Sequence, residues 1–545
     1  MPSPSFSTER LDHLGIVAGI CDHIDLIGTV DALLPGPRRE VSHGAAVQAM
    51  VVNALGFSSR PLYLSPEFFH NKPVELLVQH GITADMLNDD CLGRTLDACF
   101  EHGITELFAA IANKALNRFQ IPVTAAHLDT TSFSFHGQYD DDNTDETAIR
   151  ITHGYSKDHR PELKQAVLGL ITAQKSAIPI WIEAIDGNHA DVASMPVVID
   201  GFCEQFQESA PPLLVMDAAF YSADNIANHD GGHWLCRVPD TIKAVQQLYE
   251  EADQHDWSAT EDDNYRYQPH TASYGGIQQR WLLIHSKARQ QRQEQALMRR
   301  LEKKGEEARK ALSRLSRRTF ACQADAQAAA ERLSASWSLH RGEFSYRSKA
   351  LYDKPGRPAK DAEPVGYAWR VAGEVQPDPV AVRAAQRKLG MYVVGTNALD
   401  ESSHSSESLL RLYRSQGGSV ERGFRFLKDP LFFAGGVYLK KAERVMSLLM
   451  VMSLGLLVYS LAEKSLRDAL IEKNETVPDQ KGKPTQRITM RRIFQVFEGI
   501  DVLSINLGGS TQRQILNFTD LHSKIVNLLP REVKSIYALS RRCGR

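Results

Sequence analysis

At residue 121 the pattern of the sequence changes, and that change limits the possible folds more than any other feature. Before it, stretches such as 45–55 and 105–119 repeat apolar residues every three or four positions, the period of a helix packed along one side. After it, residues 126–135 alternate and are rich in β-formers, with Phe133 and Phe135 on one face. Two further strands are expected at 166–172 and 178–185, then a helix over 192–207. Residues 212–216 form a continuous apolar run that ends in Asp217. A short helix at 222–227 and a strand at 234–238 complete the series. Apolar runs of this kind belong to strands covered on both faces, so the expectation is an α/β fold built on a mixed sheet flanked by helices. Asp217 sits at the carboxyl end of its strand, where open α/β sheets place functional groups, but capping the next helix is an equally good reason for an Asp there.

Chemistry and compartment follow from simpler counts. The chain is 43% hydrophobic and 24% charged, with a net charge of −3, so a polyanion-binding surface has to be local. Seven cysteines contain no CxxC pair, which argues against a disulfide framework or zinc knuckle and for a reducing cytoplasm. The first ten residues lack the basic and apolar regions of a signal peptide. Residues 445–462 carry no charge, yet they are short for a membrane span and are read as a buried core helix. The acidic stretch 140–146 lacks the glycine and glutamate spacing of a calcium loop and reads as a solvated turn.

One segment is strongly basic. Residues 287–318 read as a long helix with twelve Lys or Arg against four Glu, an excess of eight positive charges that suits DNA. Arg299, Arg300, Lys303 and Lys304 lie at its centre, and its leucine seam is expected to pack on a helix at 324–336 as a helical hairpin. Residues 354–360, Lys-Pro-Gly-Arg-Pro-Ala-Lys, form a rigid basic turn whose Arg357 suits a minor groove. Lys157 and Arg160, just before the second expected strand, are cations placed to meet phosphate.

A helix over 419–429 would start at an N-cap Ser419 and stop at Asp429–Pro430, burying Val420, Phe424 and Leu427. Glu421, Arg425 and Lys428 form the adjoining polar edge. Asp129, Asp217 and Glu421 are thus three carboxylates on elements that one sheet can bring together. Without His or Cys company they favour hard divalent cations, Mg²⁺ or Mn²⁺, two of which would clamp a phosphodiester undergoing in-line displacement.

Four stretches carry a resemblance to a known family: Leu-Asp-Thr-Thr-Ser at 128–132, Gly-Tyr-Ser-Lys-Asp-His-Arg-Pro at 154–161, Met-Asp-Ala-Ala-Phe-Tyr-Ser at 216–222, and Val-Glu-Arg-Gly-Phe-Arg-Phe-Leu-Lys-Asp at 420–429. Together they resemble bacterial insertion-sequence transposases, whose DDE triad stands on a ribonuclease-H-like core. The intervals of 88 and 204 residues between the three carboxylates fit relatives with an insertion domain before the Glu. In that family the Glu helix also carries Tyr, Arg and Lys. Lys428 matches, seven residues after Glu421, but Gly417 stands where the Arg is expected, leaving Tyr413 and Arg414 as the nearest equivalents.

The resemblance implies a helical N-terminal domain (1–118), a catalytic core in two parts (119–240 and 391–470), an insertion domain (241–390) and a helical C-terminal region (471–545). It implies cleavage at the inverted-repeat ends of a mobile element and joining of the 3′-hydroxyls to target DNA, in a homodimer that works in the bacterial nucleoid without a membrane. Arg422, Arg425 and Lys428 would position phosphate, and Trp257 or Trp281 would stack on an extruded base. The same core without strand transfer would be a nuclease, and without catalysis a DNA-binding descendant.

Overall fold

The computed structural model describes residues 5–36, 39–57, 64–137, 139, 147–155, 160–174, 177–189, 191–206, 211–229, 232–353, 363–428, 439–507 and 510–539. The acidic loop, Lys157, Arg357 and the expected stop at Asp429–Pro430 lie outside them. Contacts divide the chain into two units, Met1–Cys236 with Ser273–Ile277 and Thr396–Arg545, and Arg237–Ala272 with Gln278–Gly395. The second unit encloses the insertion expected at 241–390, apart from residues 273–277.

In the first unit the periodicity change is where a sheet begins. Strand Ala125–Phe135 is flanked on one side by Lys164–Ala173 and Ile178–Ile185, all antiparallel, and on the other by Leu213–Met216, then Trp234–Val238, both running parallel to it. Nearly every residue of the three antiparallel strands is buried, so the alternation over 126–135 does not mark a solvent face, and Thr130, Thr131 and Ser132 are buried with their apolar neighbours. Their cover includes helices Ile104–Arg118 and Asp191–Glu204 and helix Ala442–Glu472, which contains the charge-free stretch 445–462. That last helix is long and apolar enough to cross a membrane, but here it is the core helix. It packs against helices His43–Ala54, Asp89–His102 and Ile104–Arg118. Arg444 near its start donates two 2.7 Å bonds to the Asp97 carboxylate.

Neither terminal region is wholly helical. Strand Ser5–Arg10 pairs with Asp501–Leu507, which pairs in turn with Ser510–Leu516. Helix Leu14–His23 packs on Arg531–Tyr537, whose Tyr537 hydroxyl donates to the Asp12 carbonyl at 2.6 Å. Local pattern could not reveal this sheet, because Ser5–Arg10 is mostly exposed and has no buried face of its own.

Strand Ile178–Ile185 carries an unusual carboxylate. Glu183 faces helix Ile104–Arg118, taking a 3.4 Å bond from Thr105 Oγ1. Burial, helped by the charge of Glu106, pushes its pKa up to about 7. The folded state therefore holds this proton more tightly than the unfolded chain. The stability tied to it is complete below pH 4.5 and is lost as pH rises through 7. Glu183→Gln is expected to raise the Tm at pH 8, by on the order of 2 kcal/mol of stability, and to change it little at pH 5. Thermal unfolding at the two pH values checks this; equal shifts would contradict it.

In the second unit, strands Met391–Thr396, Ile277–Ser286, Tyr265–Tyr274 and Ser258–Ala259 lie side by side in that order. Helix Lys287–Ser316 leaves them and packs through Ala308, Leu312 and Leu315. Its main support is not the expected helical hairpin. Helix Gln323–Ala335 and the second half of Lys287–Ser316 both lie on a two-stranded antiparallel ribbon, His340–Leu351 with Gly366–Pro377. Leu312, Leu315, Ala326, Ala330 and Val371 form the shared core, with Phe344, Tyr346 and Trp369 against it. The middle of the long helix, residues 294–304, buries no side chain, and Met298 is 73% exposed.

Candidate active site

The spacing of the two aspartates turns out to be a register. Ala125, Ala126 and His127 pair in parallel with Leu213, Leu214 and Val215. Each pair is 88 residues apart, the interval that also separates Asp129 from Asp217; the pairing ends at Val215, so continuing the same offset would bring the two aspartates level just past the paired segment. Asp217 stands one residue past the buried strand Leu213–Met216 and is exposed. It does not cap the following helix, Ala223–Asn228. The cap is Ser222, whose side chain accepts from Asn225 N at 3.2 Å. Asp217 Oδ1 instead accepts from Ala219 N at 2.6 Å, holding the carboxylate at the strand end. Asp129 is half-buried, and its Oδ1 accepts from Thr130 N at 2.7 Å. The charge of Asp217 reaches the next strand, where, after burial, it helps to hold the Cys236 thiol well above its usual range.

Glu421 lies on helix Ser406–Leu427, which is a single helix capped by Ser405, so Ser419 is interior and caps nothing. The Gly417–Gly418 pair, which reads locally as a break, is carried by helical sequence on both sides. Continuity places Arg414, Glu421, Arg425 and Lys428 at intervals of seven, four and three, on one side of one helix. Phe424 and Leu427 are buried as expected; the side chains of Val420, Glu421 and Arg422 lie outside the described residues.

Three contacts set this helix along the Asp129 strand. His127 Nε2 lies 3.1 Å from Ser415 Oγ. Gly423 lies against Leu456 and Leu170, where an added Cβ would approach at 3.1 and 3.4 Å, and Leu170 is the register partner of Asp129. Lys428 Nζ stands 5.9 Å from the centre of the Phe133 ring. From Ser415 to Lys428 the helix rises about 20 Å, and from His127 to Phe133 the strand advances about 20 Å. The two therefore run side by side, and the backbone at Glu421 falls level with Asp129 and Thr130. His127 and Ser415 carried no signal in the sequence beyond the two-residue spacing of His127 from Asp129. Ser415 Oγ donates to Leu412 O at 2.7 Å and so accepts from His127 Nε2, leaving Nδ1 buried without a partner. Burial pushes the His127 pKa down to about 4, which keeps this ring neutral at physiological pH.

The other expected contact residues are spread more widely. Arg414 and Arg425 are exposed and Tyr413 is half-buried on the Glu421 helix. Arg160 pairs with Glu162. Arg299, Arg300, Lys303 and Lys304 are exposed on the long helix of the second unit, with Lys304 paired to Glu307 at 2.7 Å. Trp281 has to be corrected: it is 2% exposed, and its Nε1 donates to Gln279 Oε1 at 2.9 Å, so it is a core residue with no face to offer a base. Trp257 is half-buried, with the Arg266 guanidinium 4.4 Å over its ring. Among the described residues no three His, Cys, Asp or Glu side chains gather as a metal site.

A family model described as a transposase DDE domain matches residues 126–459, more than half of the chain, and one described as a domain of unknown function (DUF4277) matches residues 6–113. No curated protein matches the sequence. Among solved structures, the chain is similar to a cryo-EM structure of the piggyBac transposase synaptic complex with hairpin DNA. The identity is 9% and the TM-score 0.35, over 96% of this chain and 88% of that one.

Proposed function

Since the chain belongs to the DDE transposase family, we propose that it cuts DNA at the inverted-repeat ends of an insertion sequence and joins the 3′-hydroxyls to target DNA. The observation that carries this reading is the 88-residue offset that Asp129 and Asp217 share with the paired residues of their neighbouring strands, with the backbone at Glu421 alongside. Three antiparallel strands followed by two parallel ones support reading the sheet around them as a ribonuclease-H-like core.

The donor chemistry fits Mg²⁺ or Mn²⁺: carboxylates at Asp129 and Asp217 and a third, Glu421, on the adjacent helix. Asp129, Asp217 and Glu421 would hold the ions, two per site, which supply Lewis-acid activation of water or a 3′-hydroxyl and stabilise the leaving oxygen. The chain's own cations do the rest. Lys428, Arg425 and Arg422, on the turns after Glu421, bind the phosphates next to the scissile bond. Arg414 and Tyr413 do the same from the turns before it. The exposed cations of the long helix bind duplex DNA further out. The protein works as a homodimer on paired element ends, in the bacterial cytoplasm at the nucleoid.

The test is incubation of the purified chain with Mg²⁺ and linear DNA carrying the inverted repeats that flank its gene, together with a target plasmid. New 3′-hydroxyls at the repeat ends and covalently joined products are expected. Cleavage without joining would reassign the chain as a nuclease on the same core. Binding without either would make it a DNA-binding descendant.

A further inference from the structure

The ribbon formed by His340–Leu351 and Gly366–Pro377 has two unlike faces. Cross-strand partners share a face, and the register pairs Tyr346 with Val371 and Ser348 with Trp369 on the side that packs against the two helices. The opposite face reads, toward the tip, Ser345 beside Ala372, Arg347 beside Arg370, Lys349 beside Ala368, and Leu351 beside Gly366. Arg347, Lys349 and Arg370 are all exposed. Residues 344–352 and 364–373 contain no Asp or Glu, and among the described residues no carboxylate pairs with any of these three cations.

Two arginines directly opposite each other repel, and a ribbon gains nothing by itself from such a pair. The neighbours are small, so the three cations stand clear of the surface. A two-stranded ribbon is one of the two shapes that enter the major groove of B-DNA, and arginine is the side chain that best meets phosphates and guanine edges there.

We propose that the outer face of this ribbon, through Arg347, Lys349 and Arg370, is a docking surface for the major groove of duplex DNA. The proposal rests on the DNA-processing function above and names a contact surface for it that is separate from the three carboxylates. Glu343 and Glu374 oppose each other two residues further from the tip on this same face, yet among the described residues neither pairs with the three cations, and DNA phosphates would supply the countercharge.

The experiment uses the full chain and a labelled mixed-sequence DNA duplex, with affinity measured by fluorescence anisotropy across a salt series. Replacing Arg347, Lys349 and Arg370 together by Ala should weaken binding by on the order of tenfold or more and reduce the salt slope by about 2 to 3. Arg370→Glu gives a second readout. It places opposite charges across the ribbon, so its Tm should equal or exceed that of the wild type while its DNA affinity falls. The wild-type chain should displace methyl green, a major-groove dye, more readily than netropsin, a minor-groove ligand. Wild-type affinity and slope in both variants would overturn the ribbon proposal and leave the transposase reading intact. Displacement of netropsin alone would overturn the groove assignment. A wild-type chain that binds no duplex at all would overturn both.

Discussion

Asp217→Asn is expected to lower Mg²⁺-dependent strand cleavage by about a thousandfold or more, corresponding to roughly 4 kcal/mol of lost transition-state stabilisation. The substitution is chosen to leave the fold alone. Asn keeps the oxygen that accepts from Ala219 N at 2.6 Å, and the position is exposed and caps no helix. What it removes is the negative charge at the end of the strand next to that of Asp129, which neutral oxygen donors cannot replace when two dications must be held close together. DNA affinity should stay the same or rise slightly, because one anion near the phosphates is gone. Initial cleavage rates and an anisotropy Kd on the same preparation separate the two effects. Cleavage at the wild-type rate would remove Asp217 from the site.

The second large effect is structural. Gly187 follows strand Ile178–Ile185 at a place where three chain segments meet. Its N–H donates to Arg150 O at 2.9 Å, and its carbonyl accepts from Gln165 Nε2 at 2.7 Å. Gln165 also exchanges backbone bonds of 2.8 and 3.2 Å with Thr152. A methyl group on Gly187 would overlap the carbonyl oxygen of Gln165, and one on Gly154 would overlap that of Gly187. Backbone atoms cannot swing aside as a side chain can. Gly187→Ala is therefore expected to destabilise the protein by about 3 kcal/mol or more, with a Tm several degrees lower. It should also free residues 150–155, which lead into the Gly-Tyr-Ser-Lys-Asp-His-Arg-Pro stretch. An unchanged Tm would show that the three segments are not tied together in solution.

Some of this organisation is legible in the amino acids and some is not, for identifiable reasons. The strands around Asp129 and Asp217 could be read because they are buried on both faces, so burial alone dictates their composition. The 88-residue interval was visible as a spacing, but only pairing of the two strands makes it a register. Ser419 looked like a cap because Gly417 and Gly418 precede it; the helices on either side are strong enough to absorb both glycines. The ribbon escaped notice altogether. Its inner face is aromatic at only a few positions, and its outer face is polar, so the alternation is shallow and the tip looks like loop. The leucine seam of the long basic helix is buried only in its second half, at Ala308, Leu312 and Leu315, and there it fits a sheet as well as a second helix, which periodicity does not distinguish. The burial of Trp281 accords with its place in an apolar strand, which favours a core position over stacking on a base.

The pairing of Ser5–Arg10 with Asp501–Leu507 also sets a schedule. Ser5 and Asn506 bond across 501 residues of chain, so during synthesis strand Ser5–Arg10 waits for a partner made that much later. At about 5 to 20 residues per second that wait is roughly half a minute to well over a minute, during which helix Leu14–His23 also lacks the Arg531–Tyr537 segment it packs on. A polypeptide cut short before residue 501 can form the Asp129–Asp217 strands, yet it leaves this terminal sheet unbuilt and apolar helix surface open to water. Chains that stop before that strand therefore expose surface open to proteolysis, and only chains that include it complete this sheet.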